Sequence, residues 1–446
     1  MPTTRQWWCR TPVTTAAAVV MGPARVVVPA ILTAAVSLAC ASGPARPGPR
    51  NNPIDSIARL PGWQVEADTG SLLAPARLAA LPAAERGRWE AYVARSRELS
   101  RLDHRVMAGE LAARGRDTMA RAPWTHAFEV TDGMTTCWFG SDSARRIAES
   151  ILSYQTPSGG WSKHVDFAAG PRAPGQSWFS ETSEWRYIAT IDNSSTTEEI
   201  RFLARIDAVR PDARYRQAVL RGIAYLLDAQ MPTGCWPQVY PLQGGYHDAA
   251  TFNDDAIVHV SRLLRDVRNG EIPNVPASMR RDAGRAVERA VDCMLGAQVV
   301  LAGRLTVWGQ QHDPLTLAPV SARSYELASL TGHESAGVAS FLLSLPSPNG
   351  RVVRAVHAAA DWFRANRIDT LAYHGYMLEH RVDAAPLWAR MVDLETGRPI
   401  FSNRDGVKLY DFERLTDRRT GYRWFTPAPA DFLRDYASWS RLHPRG

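Results

Sequence analysis

The sequence predicts a mainly α-helical protein, a short (α/α) toroid of helical hairpins with a few short strands. Three observations carry this. A helical segment ending in Gln recurs as Ile151-Leu-Ser-Tyr-Gln155, Tyr225-Leu-Leu-Asp-Ala-Gln230 and Met294-Leu-Gly-Ala-Gln298, each followed by a tryptophan, Trp161, Trp236 and Trp308. The tryptophans lie 75 and 72 residues apart, and the third copy carries a four-residue insertion between Gln298 and Trp308. Each copy then reaches a second helix with a polar, acidic start: Asp192-Asn-Ser-Ser, Asn253-Asp254-Asp255 and His333-Glu334. A two-helix unit of this period cannot bury its apolar face alone, so copies must stack or close into a ring. Strand signals are few, and only residues 178–191 and 401–410 are expected to supply short ones.

In chain order, residues 1–41 read as an export leader. Counting from Met21, Arg25 supplies the positive charge, residues 26–38 are apolar, and Ala39-Cys40-Ala41 offers small residues. Plain cleavage and lipid attachment at Cys40 both fit, giving a secreted, periplasmic or outer-membrane lipoprotein destination. The apolar run is short for a transmembrane helix. Residues 42–60, rich in Pro and Gly, form a linker. Residues 61–135 carry helical patterning around Trp89, Tyr92, Leu99 and Leu102 and form an N-terminal helical extension. Residues 136–440 hold the repeats and form the main domain. Cys137, Cys235 and Cys293 lie in the body of the chain, an odd count that allows one disulfide at most among them.

Over 446 residues, 45% hydrophobic and 22% charged content is ordinary for a soluble globular protein. A net charge of +7 suits an acidic partner: nucleic acid, anionic lipid or acidic polysaccharide. No basic run or nucleic-acid motif occurs, so no nucleic acid is expected. No Gly-x-Ser-x-Gly, Walker or dinucleotide fingerprint occurs either, which excludes those hydrolase, NTPase and oxidoreductase classes. A monomer is expected. The 15 tryptophans suit either a core or a sugar-binding cleft. Of 52 basic residues only Lys163 and Lys408 are lysines, and Lys163 directly follows the Gly159-Gly-Trp161 loop.

Chemistry-bearing groups crowd the segment from Trp308 to Glu334, which contains Gln311, His312, Asp313, Arg323, Tyr325, Glu326, His333 and Glu334. His312-Asp313 reads as an oriented acid–base pair or as a turn before Pro314. Arg323 reads as a salt-bridge residue or a site cation. Asp192, Asp254 and Asp255 recur at helix starts, where capping is the ordinary role of Asp. Gathered at one end of a toroid, such carboxylates also suit a hard cation, with Ca2+ preferred for its loose geometry.

These motifs together resemble the polysaccharide lyase family 10 pectate lyases. The matching features are Gly159-Gly-Trp-Ser-Lys163, Ile191-Asp-Asn-Ser-Ser-Thr-Thr-Glu198, Gly234-Cys-Trp-Pro-Gln-Val-Tyr-Pro-Leu242 and Thr251-Phe-Asn-Asp-Asp-Ala256. Gln311-His-Asp-Pro-Leu-Thr-Leu317, Ala322-Arg-Ser-Tyr-Glu326 and Asn403-Arg-Asp-Gly406 also match. The resemblance implies an (α/α)3 toroid and Ca2+-assisted β-elimination of polygalacturonate, giving unsaturated oligogalacturonides. It implies Arg323 as the base that removes the C5 proton, and Asp192 and Asp254, with Asp255 beside them, as metal ligands. Lys163 and Arg404 are implied to bind substrate carboxylates, with His312, Tyr325 and Trp161 as further substrate-binding candidates.

The chain departs from the family pattern at Gly309-Gln310, Ser194-Ser195 and Ala328, none of which removes a candidate group. An arginine base ordinarily stays protonated far above neutral pH, so an alkaline optimum or an Arg323 pKa depressed by neighbouring cations is expected. Two other readings remain open. One is a uronate-directed glycoside hydrolase using Asp192 and Asp254. The other is a non-catalytic binder of acidic glycans.

Overall fold

The structure is a computed structural model describing residues 71–126, 128–131, 133–181 and 188–445. The chain divides into two units, Met1–Asn52 and Pro53–Gly446. The first, with the expected leader, Cys40 and most of the 42–60 linker, lies outside the described residues. Among the described residues no helix is long and apolar enough to cross a membrane.

Local sequence chemistry sets most helix starts. The short α1 (Pro75–Ala79) begins on a proline, and α2 (Ala83–Ala112) runs 30 residues. Thr135 and Ser141 cap α3 (Thr136–Phe139) and α4 (Asp142–Tyr154) by accepting from Trp138 and Ala144 N–H. Three hairpins follow. The first joins α5 (Thr197–Val209) to α6 (Ala213–Ala229), capped by Asp212. The second joins α7 (Ala256–Asn269), stopped by the left-handed Gly270, to α8 (Ala277–Ala297). The third joins α9 (His333–Leu343) to α10 (Gly350–Ala365), capped by Asn349, and α11 (Pro429–Leu442) closes the series. The helices pack in two rows, α5–α7–α9–α11 and α4–α6–α8–α10, the arrangement of an α/α toroid.

The repeat is a structural unit with a shared anchor. The buried indole N–H of Trp161, Trp236 and Trp308 donates to the helix carbonyls of Ile151, Leu226 and Met294, at separations of 10, 10 and 14 residues. The copy's glutamine amide then ties its own loop to the next outer helix: Gln155 to Gly159 and Ala218, Gln230 to Gly234 and Ala286, Gln298 to Thr306 and Ala355. A fourth copy emerges that the sequence pattern conceals. Trp388 donates to the carbonyl of Phe363 in α10, now 25 residues back. A hairpin of Leu371–Tyr373 with Leu378–His380 fills the gap, and Asn366 stands where glutamine ends the other copies.

Short antiparallel pairs join successive loops. Ala250–Thr251 pairs with Gln311–His312, Leu330–Thr331 with Met391–Val392, and Trp388–Ala389 with Phe425–Thr426. Of the expected strands, Phe401–Ser402 pairs with Lys408–Leu409, whereas the described parts of 178–191 hold only a bridge at Thr190. Cys235 and Cys293 form a disulfide linking the second loop to α8. The first two helices share this core and brace the loops. Tyr92 donates to Ala229 O, Ser96 accepts from Leu242 N, and Asp103 accepts from both Ser158 N and Oγ. Arg77 pairs with Asp313 at 2.7 Å.

Candidate active site

The loops after each anchoring tryptophan place the site. In copies one to three, Thr190, Thr251 and Thr331 each donate a backbone N–H to the carbonyl of Trp161, Trp236 and Trp308. These threonines put the copies in register. Two residues on stand Asp192, Asn253 and His333; three on stand Asn193, Asp254 and Glu334. Asn193 and Asp254 share a left-handed backbone, φ 50° and 47°, followed by Ser194 and Asp255 at 62° and 58°. Asp192 and Asp254 are therefore offset by one position, not equivalent. Neither they nor Asp255 caps a helix by a side-chain bond. The carboxylates are free of capping duty, and Asp254 and Asp255, like Asn193 and Ser194 beside Asp192, hold a backbone conformation that costs non-glycine residues energy, as functional turns often do.

Asp192 is buried, and its Oδ2 accepts from Lys163 Nζ at 2.6 Å. Its Oδ1 is buried with no hydrogen bond. Burial opposes its charge, but Lys163 outweighs that cost, and with help from the Gln238 amide and the charge of Arg323 the carboxyl lies below its ordinary pKa. Lys163 also lies 3.1 Å from Glu181, and these carboxylates raise its pKa against the opposing effect of burial. The ammonium expected to bind substrate is thus engaged with the protein's own acids.

Asp254 accepts from Arg390 at 3.0 Å and from Asn253 at 2.8 Å. Burial raises its pKa, Arg390 opposes this, and the charges of Asp192 and Glu334 raise it further. Arg390 is buried and its main partner is the fully buried Glu334, which accepts from both its Nε and its terminal nitrogen. Burial disfavours the Glu334 anion, but Arg390, followed by His333, Thr331 and Gln310, brings its pKa down to about 2. Gln310 donates to Asn253 at 3.2 Å, Glu334 at 3.1 Å and the Tyr422 hydroxyl at 3.2 Å.

Asp255 does not complete a three-acid cluster. It packs on Gly337, where an added Cβ would come within 2.0 Å of its Oδ1. Burial, then the charge of Glu334, raises its pKa to about 7. Among the described residues no group of three or more His, Cys, Asp or Glu is arranged to hold a metal ion. The observations that do fit a cation are the unpartnered Asp192 oxygen and the mutual repulsion of Asp192 and Asp254.

Arg323 lies on a tight turn closed by Glu326 N to Arg323 O and Ala322 N to Glu326 O. Its Nε and a terminal nitrogen both donate to the buried Glu326 carboxylate, Nε at 2.7 Å. Burial lowers its pKa, but Glu326 more than reverses this and leaves it above the ordinary arginine value. The depressed pKa expected from neighbouring cations is therefore not found: a bidentate carboxylate outweighs them. Tyr325 is buried beneath its guanidinium, 4.9 Å from the ring centre. The turn bearing Arg404 abuts this loop, since a Cβ on Gly406 would lie 3.4 Å from Ser324 O. Arg404 is the most open of the candidates, its side chain 61% exposed and 4.0 Å from Asp417.

Two expected substrate contacts are core residues. Trp161 is fully buried, so it offers no face to a sugar. His312 is also fully buried; Nδ1 meets Leu317 O at 2.7 Å and Nε2 meets Gly309 N at 3.0 Å. Burial, only partly opposed by these backbone bonds, brings its pKa down to about 4. It is a neutral loop brace, not an acid–base pair with Asp313, which serves Arg77 and the turn N–H groups of Leu315 and Thr316.

The residues missed from the sequence are Arg390, Gln310 and Tyr422, while Glu326 stood out among the chemistry-bearing groups without a role. A signal for the first two exists. The position two after each anchoring tryptophan is polar in all four copies: Lys163, Gln238, Gln310 and Arg390. Each of these side chains meets a site acid or its neighbours.

The sequence model of the pectic acid lyases matches residues 155–433. Among solved structures, the family 10 polysaccharide lyase from Cellvibrio cellulosa is similar at 33% identity and a TM-score of 0.60, covering 72% of this chain and 100% of its own. An aspartate-to-alanine variant of that lyase, in complex with trigalacturonic acid, is similar at 32% identity and 0.60, covering 71% of this chain and 100% of its own. No curated protein matches the chain.

Proposed function

The chain belongs to the pectic acid lyase family and is a pectate lyase, and from that premise we propose that it cleaves polygalacturonate by Ca2+-assisted β-elimination with Arg323 as base. A relative solved with trigalacturonic acid supports the substrate class. The observation that carries the metal reading is Asp192, a buried carboxylate with one oxygen unpartnered, set near enough to Asp254 for their charges to repel. Asp192 and Asp254 would hold the ion, oxygen ligands of the kind Ca2+ takes. When bound there, Ca2+ supplies charge to a substrate carboxylate and so acidifies the neighbouring C5 proton.

The chain's own residues do the rest. Neutral Arg323 takes the C5 proton, the C5–H electron pair becomes the C4–C5 double bond, and the C4–O bond breaks. The leaving oxygen takes a proton from solvent. Glu326 and Tyr325 hold the guanidinium plane, so it is pre-aimed. Arg390, clamped by Glu334, keeps Asp254 in place. Arg404 is exposed to meet a further carboxylate of the polymer. Because Glu326 favours the protonated guanidinium, the active neutral form grows only as pH rises, and the rate climbs through the alkaline range.

The test is ultraviolet absorbance of unsaturated product from polygalacturonate at alkaline pH. It should appear with Ca2+ and vanish with chelator and in Arg323→Ala. Release of reducing ends without absorbance would instead mark a hydrolase using Asp192 and Asp254, and binding without any product would mark a glycan-binding protein. We also propose export, since the substrate is an extracellular polymer and residues 1–41 read as a leader. The N-terminal mass of the mature protein tests cleavage or lipidation at Cys40.

A further inference from the structure

Arg418 has no place in the roles above, yet it stands in the middle of the site. Its guanidinium carbon lies 4.1 Å from the centre of the Tyr325 ring, the ring that also carries Arg323, and 5.6 Å from that of Tyr422. Tyr422 in turn carries Arg390, 4.8 Å away, and Arg390 holds Asp254 and Glu334. Arginines and tyrosines thus alternate from the candidate base to the candidate metal acids: Arg323, Tyr325, Arg418, Tyr422, Arg390. The other arginines of the series have carboxylate partners. Arg418 forms no ion pair among the described residues; it donates only to Gly421 O at 3.1 Å, and its Nε is buried without a hydrogen bond. The neighbouring acids are engaged elsewhere, Asp417 with Arg404 and Glu413 with Arg419.

We infer that Arg418 binds a carboxylate of the uronate chain beside the scissile residue and sets the enzyme's preference for de-esterified substrate. This rests on the pectate lyase reading. A half-buried guanidinium already desolvated against two rings gains from an incoming carboxylate, and gains little from a methyl ester, which carries no charge. The rings fix its plane, so little ordering is left for binding.

The test compares the unaltered protein with Arg418→Ala and Arg418→Lys on polygalacturonate and on its methyl-esterified form. Arg418→Ala should raise KM on polygalacturonate about tenfold, the scale of one lost charge-assisted hydrogen bond, with kcat far less affected. It should shrink the preference for polygalacturonate over the ester by the same factor, and Arg418→Lys should restore part of it. The structural contact of this residue, Trp424 Nε1 to the Arg418 carbonyl, belongs to the backbone and survives both changes. An unchanged preference in Arg418→Ala, or a fall in kcat with KM unchanged, would overturn the inference while leaving the lyase reading intact. Absence of unsaturated product from the unaltered protein would overturn the lyase reading itself and this inference with it.

Discussion

Replacing Glu334 by Gln removes the anion that balances Arg390 in the interior. The structure sets the scale. The Glu334 carboxyl is fully buried and its pKa falls from an ordinary 4.5 to about 2. At 1.36 kcal/mol per unit, that shift corresponds to roughly 3 kcal/mol of native-state stabilisation of the anion. The figure agrees with the 3–5 kcal/mol typical of breaking a buried ion pair. Asp254, its side chain 35% exposed and 3.0 Å from Arg390, remains to offset part of the loss. A depressed carboxyl pKa means that the unfolded chain binds the proton more readily than the native state. The contribution is therefore present in full above about pH 4.5 and is lost as pH falls towards 2. Thermal unfolding of Glu334→Gln should show a midpoint several degrees lower from pH 6 to 8, with the gap narrowing below pH 4.5. Released from Glu334, Arg390 should turn fully to Asp254 and compete with the metal, raising the Ca2+ concentration for half-maximal activity. A variant that melts with the parent at pH 7, or a gap that does not narrow in acid, would refute the assignment of Glu334 as the balancing charge.

Asp192→Ala takes from Lys163 its partner at 2.6 Å and removes a proposed ligand; elimination should fall by about two orders of magnitude or more and recover in part with excess Ca2+, as read by product absorbance. Burial, only partly opposed by its bonds from Ser158, raises the Asp103 pKa to about 7, so its stability contribution is present in acid and lost as pH rises through 7. Asp103→Asn should thus raise the melting midpoint at pH 9 relative to the parent, by a difference that shrinks as pH falls from 7 towards the ordinary carboxyl value of 3.8. Reducing Cys235–Cys293, which closes a 58-residue separation, should cost about 4 kcal/mol in a denaturant titration if chain entropy governs the crosslink.

The toroid was legible in the sequence because its signal is local. A helix ending in Gln, a glycine loop and a tryptophan repeat within a dozen residues, and each copy builds the same indole-to-carbonyl anchor. The fourth copy was not legible, because a hairpin pushes Trp388 25 residues from its anchor and Asn366 replaces the glutamine. The acids Asp192 and Asp254 stood out by recurrence at helix starts, and Arg323 by its place in a family motif. Sequence could also limit Cys137, Cys235 and Cys293 to one disulfide among them.

Tertiary structure alone decided what those groups touch. Trp161 and His312, conspicuous beside charged neighbours, are buried anchors, because a loop crowded with polar groups must satisfy its backbone somewhere. Arg390 reaches Asp254 and Glu334 across 136 and 56 residues, and Gln310 reaches Tyr422 across 112. Such contacts have no local spacing to betray them; they exist only where the ends of separate hairpins converge. The charge state of the site is set there too. Lys163 lies on Asp192 and Arg323 on Glu326 because burial makes an unpaired charge costlier than a paired one, and pairing depends on which loops meet.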